Sequence, residues 1–234
     1  MDYYSNAIYR ALELILTLDQ EVIQVVMTSL KISVSSTFFA SIVSIPLAII
    51  IARKNFKSKK FINITLNTLL SLPTVVIGIF VYSLISRRGI LGEFNLLFTP
   101  LGIIIGQIIL LIPLLTALIR NVIYSLDEKL YKTAKSMGAS RRQRFKLVIM
   151  EARYGIIGAL IAGFGRVLGE IGISMMLGGN IKGVTRTITT AMSLETNKGS
   201  FAFALALGII LLILSFLINF ITYFLQEGKD YERR

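Results

Sequence analysis

The 234-residue chain contains no cysteine and no histidine. Disulfides, thiol nucleophiles, imidazole bases and zinc sites built from the usual ligands are thereby excluded. Charge is scarce too: charged side chains make up 16% of the chain against 54% hydrophobic residues, and the mean hydropathy is +0.73. That is too little charge to clothe a soluble domain of this size, and the composition is that of an integral membrane protein. No Gly-x-x-x-x-Gly-Lys-Ser/Thr loop occurs, so the chain has no P-loop with which to cradle nucleotide phosphates. The net charge of +12 would suit a nucleic-acid partner on a soluble protein. Here the positive residues gather at the ends of apolar runs, which is membrane topology, and no nucleic acid is expected.

Residues 4–18 carry Ile8, Leu12, Ile15 and Leu16 beside Arg10, Glu13 and Asp19, the mixture of an amphipathic surface helix rather than a span. No basic start leads into an apolar run with a small-residue exit, so no cleavable signal peptide is expected. Spans of about the 20 residues needed to cross a bilayer are predicted over 22–52, 61–85, 101–124, 154–179 and 201–225. Pro46 marks a kink position in the first, Pro73 and Gly78 lie inside the second, and Pro113 interrupts the third. The fourth offers small-residue faces, Gly155, Gly158 and Ala162, then Gly165, Gly169 and Gly172, for close helix contact with this chain or with a second copy.

Basic residues crowd one side of these spans: Arg53, Lys54, Lys57, Lys59 and Lys60 after the first, Arg120, the stretch 125–153, and Lys229, Arg233 and Arg234 in the tail. The other side holds Arg10, Lys31, Arg87, Arg88, Lys182, Arg186 and Lys198. The positive-inside rule therefore expects 125–150 and the C-terminus in the cytoplasm and the N-terminus outside. The expected fold is an all-α integral membrane protein, one domain over 1–234 with five transmembrane helices. The tail after Leu225 leaves no room for a nucleotide-binding domain.

The polar stretch Ser125–Met150 separates the third and fourth spans. Ser125 with Glu128 reads as a capping box, predicting a helix with Leu130, Ala134 and Met137 on one face. Gly138 follows as a C-terminal stop, and Ser140 with Gln143 makes a second box that opens another short helix through Phe145 and Val148. Helix, glycine turn, helix resembles the cytoplasmic coupling loop of ABC transporter permeases, whose pattern is Glu-Ala-Ala, three residues, Gly, nine residues, Ile-x-Leu-Pro. Lys132-Thr133-Ala134, Gly138 and Val148-Ile149-Met150-Glu151 stand at those places, with Lys132 where the pattern has Glu and Glu151 where it has Pro. The resemblance implies that Lys132, Thr133, Ala134, Gly138, Ala139 and Ser140 meet a separate ATPase subunit, which carries ATP and magnesium. No cofactor, no metal and no catalytic residue is expected in this chain.

Arg166 and Glu170, four apart on one face of the predicted fourth helix, lie within an apolar span. An unpaired charge at mid-membrane costs at least about 2.5 kcal/mol, so the two are expected to pair inward, as a tie between helices or as a gate or anion-handling element. Downstream, Thr185, Arg186, Thr187 and Thr189 offer hydroxyl and guanidinium donors suited to a tetrahedral oxyanion; a solvated loop has the same composition. Arg87 and Arg88 could serve a docking protein or simply solubilise their turn.

Ser86–Gly92, Gly165–Gly172, and Thr185-Arg186-Thr187-Ile188 with Ala191-Met192 resemble the molybdate and tungstate permease family, a likeness extending from Thr28 to Leu225. Gly178-Gly179-Asn180-Ile181, Thr189-Thr190-Ala191, Leu194-Glu195-Thr196 and Lys198-Gly199 resemble the tungstate-type members. The likeness implies an ABC importer permease for tungstate in the cytoplasmic (inner) membrane, working by alternating access, with molybdate or sulfate as alternative cargo. Its implied partners are a second copy of the chain, two cytoplasmic ATPase subunits, an extracytoplasmic oxyanion-binding protein and membrane lipid. A secondary anion transporter that ignores ATP is the reading from another class. A membrane-embedded hydrolase lacks the paired acids or imidazole its chemistry needs.

Overall fold

The computed structural model describes residues 2–53 and 57–231, so Lys54, Arg233 and Arg234 of the topology reading lie outside the described residues. All regular structure among these residues is helical: α1 (Asp2–Leu16), α2 (Gln20–Arg53), α3 (Lys59–Leu70), α4 (Thr74–Ile85), α5 (Pro100–Tyr124), α6 (Glu128–Ser136), α7 (Arg141–Leu168), α8 (Gly172–Gly178), α9 (Ile188–Asn197) and α10 (Phe201–Tyr231), with a short 3-10 turn at Gly92–Phe94. The helices α2, α5 and α7 and the Phe201–Phe224 part of α10 are long and apolar enough to cross a membrane. A fifth span is present if the bent pair of α3 and α4 counts as one.

Two helix boundaries differ from expectation for local reasons. The stretch 61–85 is not one helix. α3 closes on two tightened bonds, Ser71 N–H to Thr68 O (3.0 Å) and Leu72 N–H to Leu69 O (3.4 Å), and Pro73 then stands in an extended conformation at φ −61° and ψ 132°. Proline has no N–H to continue the ladder and drives the residue before it out of the helical region. The second difference is that α7 runs unbroken from Arg141 to Leu168, so the expected short helix through Val148 and the fourth span are one element. Glu151, Ala152 and Arg153 between them are good helix formers and give no stop. The same span ends at Leu168 instead of continuing to 179, and α8 is a separate short helix.

The chain divides into two compact units, Met1–Ser36, Pro73–Leu110 and Phe164–Ile218 in one, and Thr37–Leu72, Leu111–Gly163 and Asn219–Arg234 in the other. In the first unit, Asp19 Oδ1 accepts the Glu21 and Val22 N–H groups (2.9 and 3.0 Å) and so caps the start of α2. α1 turns Ala7 and Ala11 inward and leaves Ile8, Leu12 and Leu16 exposed, the disposition of a helix lying on a membrane surface. Val22, Val25, Ile188, Ala191 and Leu207 form a buried cluster against which Leu14, Met192 and Phe203 pack. Gly106 lets α5 close on α8: a Cβ there would stand 2.5 Å from Leu177 Cδ1 and 2.6 Å from Ile173 Cγ2.

In the second unit, α5 presents Leu111, Leu115, Ile119 and Ile123, one stripe at four-residue spacing and wholly buried. α7 answers with Val148, Ala152, Ile156 and Ala159. Gly155 sits on Val122 and Gly163 on Leu115, so this part of the small-residue surface is used inside the chain. In the first unit a Cβ at Gly165 would meet nothing within 4 Å among the described residues, and one at Gly169 only Gly165 O at 3.8 Å.

Candidate functional site

In the first unit the end of α7 is tightened by Gly169 N–H to Gly165 O (3.3 Å) and Glu170 N–H to Val167 O (3.2 Å). Glu170 therefore lies just past the helix and not on its face, but its Oε2 still accepts from Arg166 Nη1 at 2.8 Å. Its other oxygen accepts the Ile173 N–H at 3.3 Å, one of the donors at the start of α8 that the helix leaves unpaired. The Glu170 carbonyl accepts from Thr189 Oγ1 at 2.9 Å. The pair is lopsided, Glu170 being 3% exposed and Arg166 46%.

Thr187 is the N-cap of α9. Thr187 N–H donates to Thr190 Oγ1 (2.9 Å) and Thr190 N–H to Thr187 Oγ1 (3.4 Å), a reciprocal capping box, and Ile188 N–H is taken by Ser29 Oγ at 2.7 Å. Thr187 Oγ1 also stands 3.3 Å from Thr189 Oγ1. Thr185 closes the preceding loop, donating to Gly178 O (2.5 Å) and accepting from Ile181 N–H (3.0 Å). The three threonines are buried and spend their hydroxyls inside the chain.

Arg186 is 11% exposed; its Nη1 lies 3.0 Å from Glu21 Oε1 and 3.9 Å from Glu195 Oε1. Lys182 reaches the other oxygen of Glu21 at 2.5 Å, and Lys198 reaches Glu195 at 3.1 Å. Lys182, Arg186 and Lys198 therefore carry their own counter-charges, an arrangement that ties the start of α2 to the loop before α9. Arg166, Glu170, Thr187 and Thr189 come together, Thr185 holds the neighbouring loop, and Arg186 belongs to a separate ion-pair network. Arg87 and Arg88 are exposed after α4, beside a cavity shared with Tyr82 and Phe98.

Sequence reasoning missed the polar residues behind this region. Gln107 Nε2 donates to Val167 O (3.4 Å), and Ser36 Oγ lies 2.8 Å from Gln107 Oε1 and 2.7 Å from Ile32 O, with one proton to share between them. A glutamine inside an apolar run, and Ser29, Ser33 and Ser36 at helical spacing, were the available signals. Glu21 was missed because its partners lie more than 160 residues away.

In the second unit, Asp127 and not Ser125 caps α6: Asp127 Oδ1 accepts the Lys129 N–H at 2.8 Å, while Ser125 Oγ donates back to Val122 O. The aspartate is adjacent to the first turn and outcompetes the more distant serine. The side chains of Glu128 and Leu130 lie outside the described residues. Of the expected apolar face, Ala134 is half-buried and Met137 is 81% exposed. The glycine stop is as read: Gly138 has φ +81°, its N–H reaches Lys135 O (3.2 Å), and Ala139 N–H reaches Ala134 O (3.0 Å), the paired bonds of a Schellman motif. Ser140 N–H donates to Gln143 Oε1 (2.7 Å) and Gln143 N–H to Ser140 Oγ (3.3 Å), so the second capping box forms and opens α7. Lys132, Thr133 and Ser140 are exposed, and Ala139 is half-buried.

Membrane-length apolar helices, and a polar helix-glycine-helix segment between two of them, define an α-helical protein of the multi-span membrane class. Residues 44–230 match the family model described as the binding-protein-dependent transport system inner membrane component, and the chain belongs to that family. It is a multi-pass inner-membrane protein of the permease-subunit class. It is 42% identical over 227 residues to the tungstate uptake system permease protein TupB of Campylobacter jejuni subsp. jejuni serotype O:2, covering 97% of this chain and 95% of that one. To the TupB of Peptoclostridium acidaminophilum it is 36% identical over 97% of this chain and all of the other. The molybdenum transport system permease protein ModB of Haemophilus influenzae is 33% identical over 70% of this chain and 75% of its own. Among solved structures, the inward-facing MetNI methionine ABC transporter superposes with a TM-score of 0.73 at 17% identity, covering 90% of this chain and 97% of that one, a likeness of fold.

Proposed function

We propose that this chain is the permease subunit of an ABC importer that carries a tetrahedral oxyanion, tungstate before molybdate or sulfate, by ATP-driven alternating access. The observation that carries this reading is the likeness, over nearly the whole length of both chains, to two tungstate permeases. The molybdenum permeases match less of the chain, which is why molybdate is the second reading.

The N-terminus lies outside and the C-terminus in the cytoplasm, a direction supported by the distribution of Lys and Arg. The loop 125–150 then faces two cytoplasmic ATPase subunits, which hold ATP and magnesium. Lys132, Thr133, Ala134, Gly138, Ala139 and Ser140 make that contact. A Schellman turn joins α6 to α7, so a push on α6 passes into the long helix α7. The permease works as a dimer of two copies, with an extracytoplasmic binding protein delivering the anion and lipid surrounding the spans. The open face at Gly165 and Gly169 supports contact with the second copy.

Arg166 is the cation of this region left partly exposed, so it is the group that meets a passing anion. Glu170, Thr185, Thr187 and Thr189 hold the frame in which Arg166 moves, and Arg186 latches the outer loop through Glu21 and Glu195. Uptake by vesicles that contain this chain with its ATPase and binding protein, offered tungstate, molybdate and sulfate singly, tests the cargo. Tungstate should enter well ahead of the others; equal uptake of all three would retract the tungstate assignment and leave the importer.

A further inference from the structure

In the second unit a group of cations has no carboxylate partner among the described residues. Two guanidinium groups stand over the ring of Tyr131 on α6, with Arg53 Cζ at 5.2 Å and Arg144 Cζ at 5.5 Å from its centroid. The hydrogen bonds these two arginines make are long, Arg53 Nη2 to Ile123 O at 3.4 Å and Arg144 Nη1 to Tyr131 OH at 3.5 Å, and the Nε atoms of both are buried with no partner. Lys135 and Arg141 line the same open cavity. Among the described residues no carboxylate pairs with any of the four.

Converging like charges repel, and a buried donor without an acceptor is destabilising. In the first unit Lys182, Arg186 and Lys198 have acids; here, among the described residues, no acid is paired, and the donors are set for one. The fork of an arginine Nε and Nη matches two oxygens of a phosphate-like group. The rest of the cavity wall is apolar, formed by Ile49 and Ile50 near the end of α2 and by Phe145 near the start of α7. Both helices are candidate membrane spans.

We propose that this cavity holds the phosphate of an anionic phospholipid, with Arg53 and Arg144 on its oxygens, Lys135 and Arg141 at the rim, and an acyl chain against the apolar wall. A free anion would have no use for that wall. A carboxylate of the ATPase is the other macromolecular candidate, but the cavity is lined from α6 by Tyr131 and Lys135, four apart, and by none of the six positions assigned to ATPase contact. The site depends on α2 and α7 lying in a membrane, and not on the cargo or on which side the loop faces.

The test uses the purified full chain, read by native mass spectrometry for retained lipid and by its thermal unfolding midpoint, with phosphatidylglycerol, phosphatidylcholine or inorganic phosphate added. Wild type should retain phosphatidylglycerol and unfold at a higher temperature with it, and respond to neither of the others. Arg53→Gln with Arg144→Gln should weaken retention by roughly tenfold or more, which corresponds to about 1.4 kcal/mol, while Lys132→Gln should retain lipid as wild type does. If the double variant does not fold, Lys135→Gln with Arg141→Gln reads the same site from its exposed rim. Equal retention of phosphatidylcholine, stabilisation by inorganic phosphate as strong as by the lipid, or unchanged retention in the folded variants would each overturn the proposal. So would variants that keep the lipid and lose the ATPase. Uptake is not the readout, so failure of the tungstate assignment would leave this result standing.

Discussion

The carboxylate of Glu170 serves two partners at once: Oε2 accepts from Arg166 Nη1 at 2.8 Å and Oε1 accepts the Ile173 N–H at 3.3 Å. One buried side chain therefore neutralises a cation at the end of α7 and caps the start of α8. Arg166 has only the first of these jobs.

The two roles of Glu170 should consequently separate on mutation. Glu170→Ala removes the cap and the counter-charge and should cost about 2–3 kcal/mol of unfolding free energy, whereas Glu170→Gln keeps an acceptor for Ile173 and should cost less. Arg166→Gln keeps a donor but leaves the buried Glu170 carboxylate without its counter-charge, and should cost about 2–3 kcal/mol as well. Exchanging the two residues should rescue only part of the loss, since arginine has no acceptor to offer. Denaturant unfolding of the purified chain decides it; equal penalties for Glu170→Gln and Glu170→Ala would contradict the capping role.

Gly138 permits a clean separation of strain from crowding. No heavy atom lies within 4 Å of where its Cβ would be, but its φ is +81°. Substitution should thus act through backbone strain, about 1–2 kcal/mol for an ordinary side chain and more for a β-branched one, with asparagine the mildest. ATP hydrolysis per anion transported should rise from Gly138→Asn through Gly138→Ala to Gly138→Val, at unchanged amounts of protein in the membrane. Wild-type coupling in Gly138→Val would remove the turn from the coupling mechanism.

Arg186 and Lys182 share Glu21 but not its burial. Arg186→Ala should lower stability by about 1.5–3 kcal/mol, the range for hydrogen bonds to charged groups. Lys182→Ala, at a 60% exposed position, should stay within about 1 kcal/mol and lose its effect in high salt. Thermal melts at two salt concentrations distinguish the pair. Equal effects would mean that Glu21 is not the tie described.

Two glycines should behave oppositely. Gly106→Ala drives a Cβ into Leu177 and Ile173 and should destabilise the chain itself by about 1–3 kcal/mol. Gly165→Leu places its Cβ in open space and should not lower the stability of the chain, while weakening association of two copies. Unfolding and cross-linking measured together test both; a Gly165→Leu chain that still dimerises fully would place the partner copy elsewhere.

What could be read from residues alone divides along physical lines. Gly138 and the Ser140–Gln143 box were legible because each acts through bonds to residues a few positions away. Ser125 was misread for a related reason: Asp127 competes for the same amides and stands nearer. Hydropathy located α2, α5 and α10 but was blind to the break at Pro73, since apolar residues continue on both sides of it. It also marked where the membrane stretch of α7 begins rather than where the helix does. The Arg166–Glu170 pairing followed from spacing, yet the second role of Glu170 depends on a backbone amide that no pattern announces. The polar ties of Gln107 to Val167 and Arg186 to Glu21 bridge distant segments, and only the folded chain brings them together.

The most direct test of the account is tungstate accumulation in right-side-out vesicles that hold this chain and its ATPase, with the binding protein outside and either ATP or ADP sealed within. ATP-driven import predicts accumulation above the external concentration with ATP and none with ADP. Tungstate uptake that proceeds equally with ADP would contradict it and make the chain a secondary carrier.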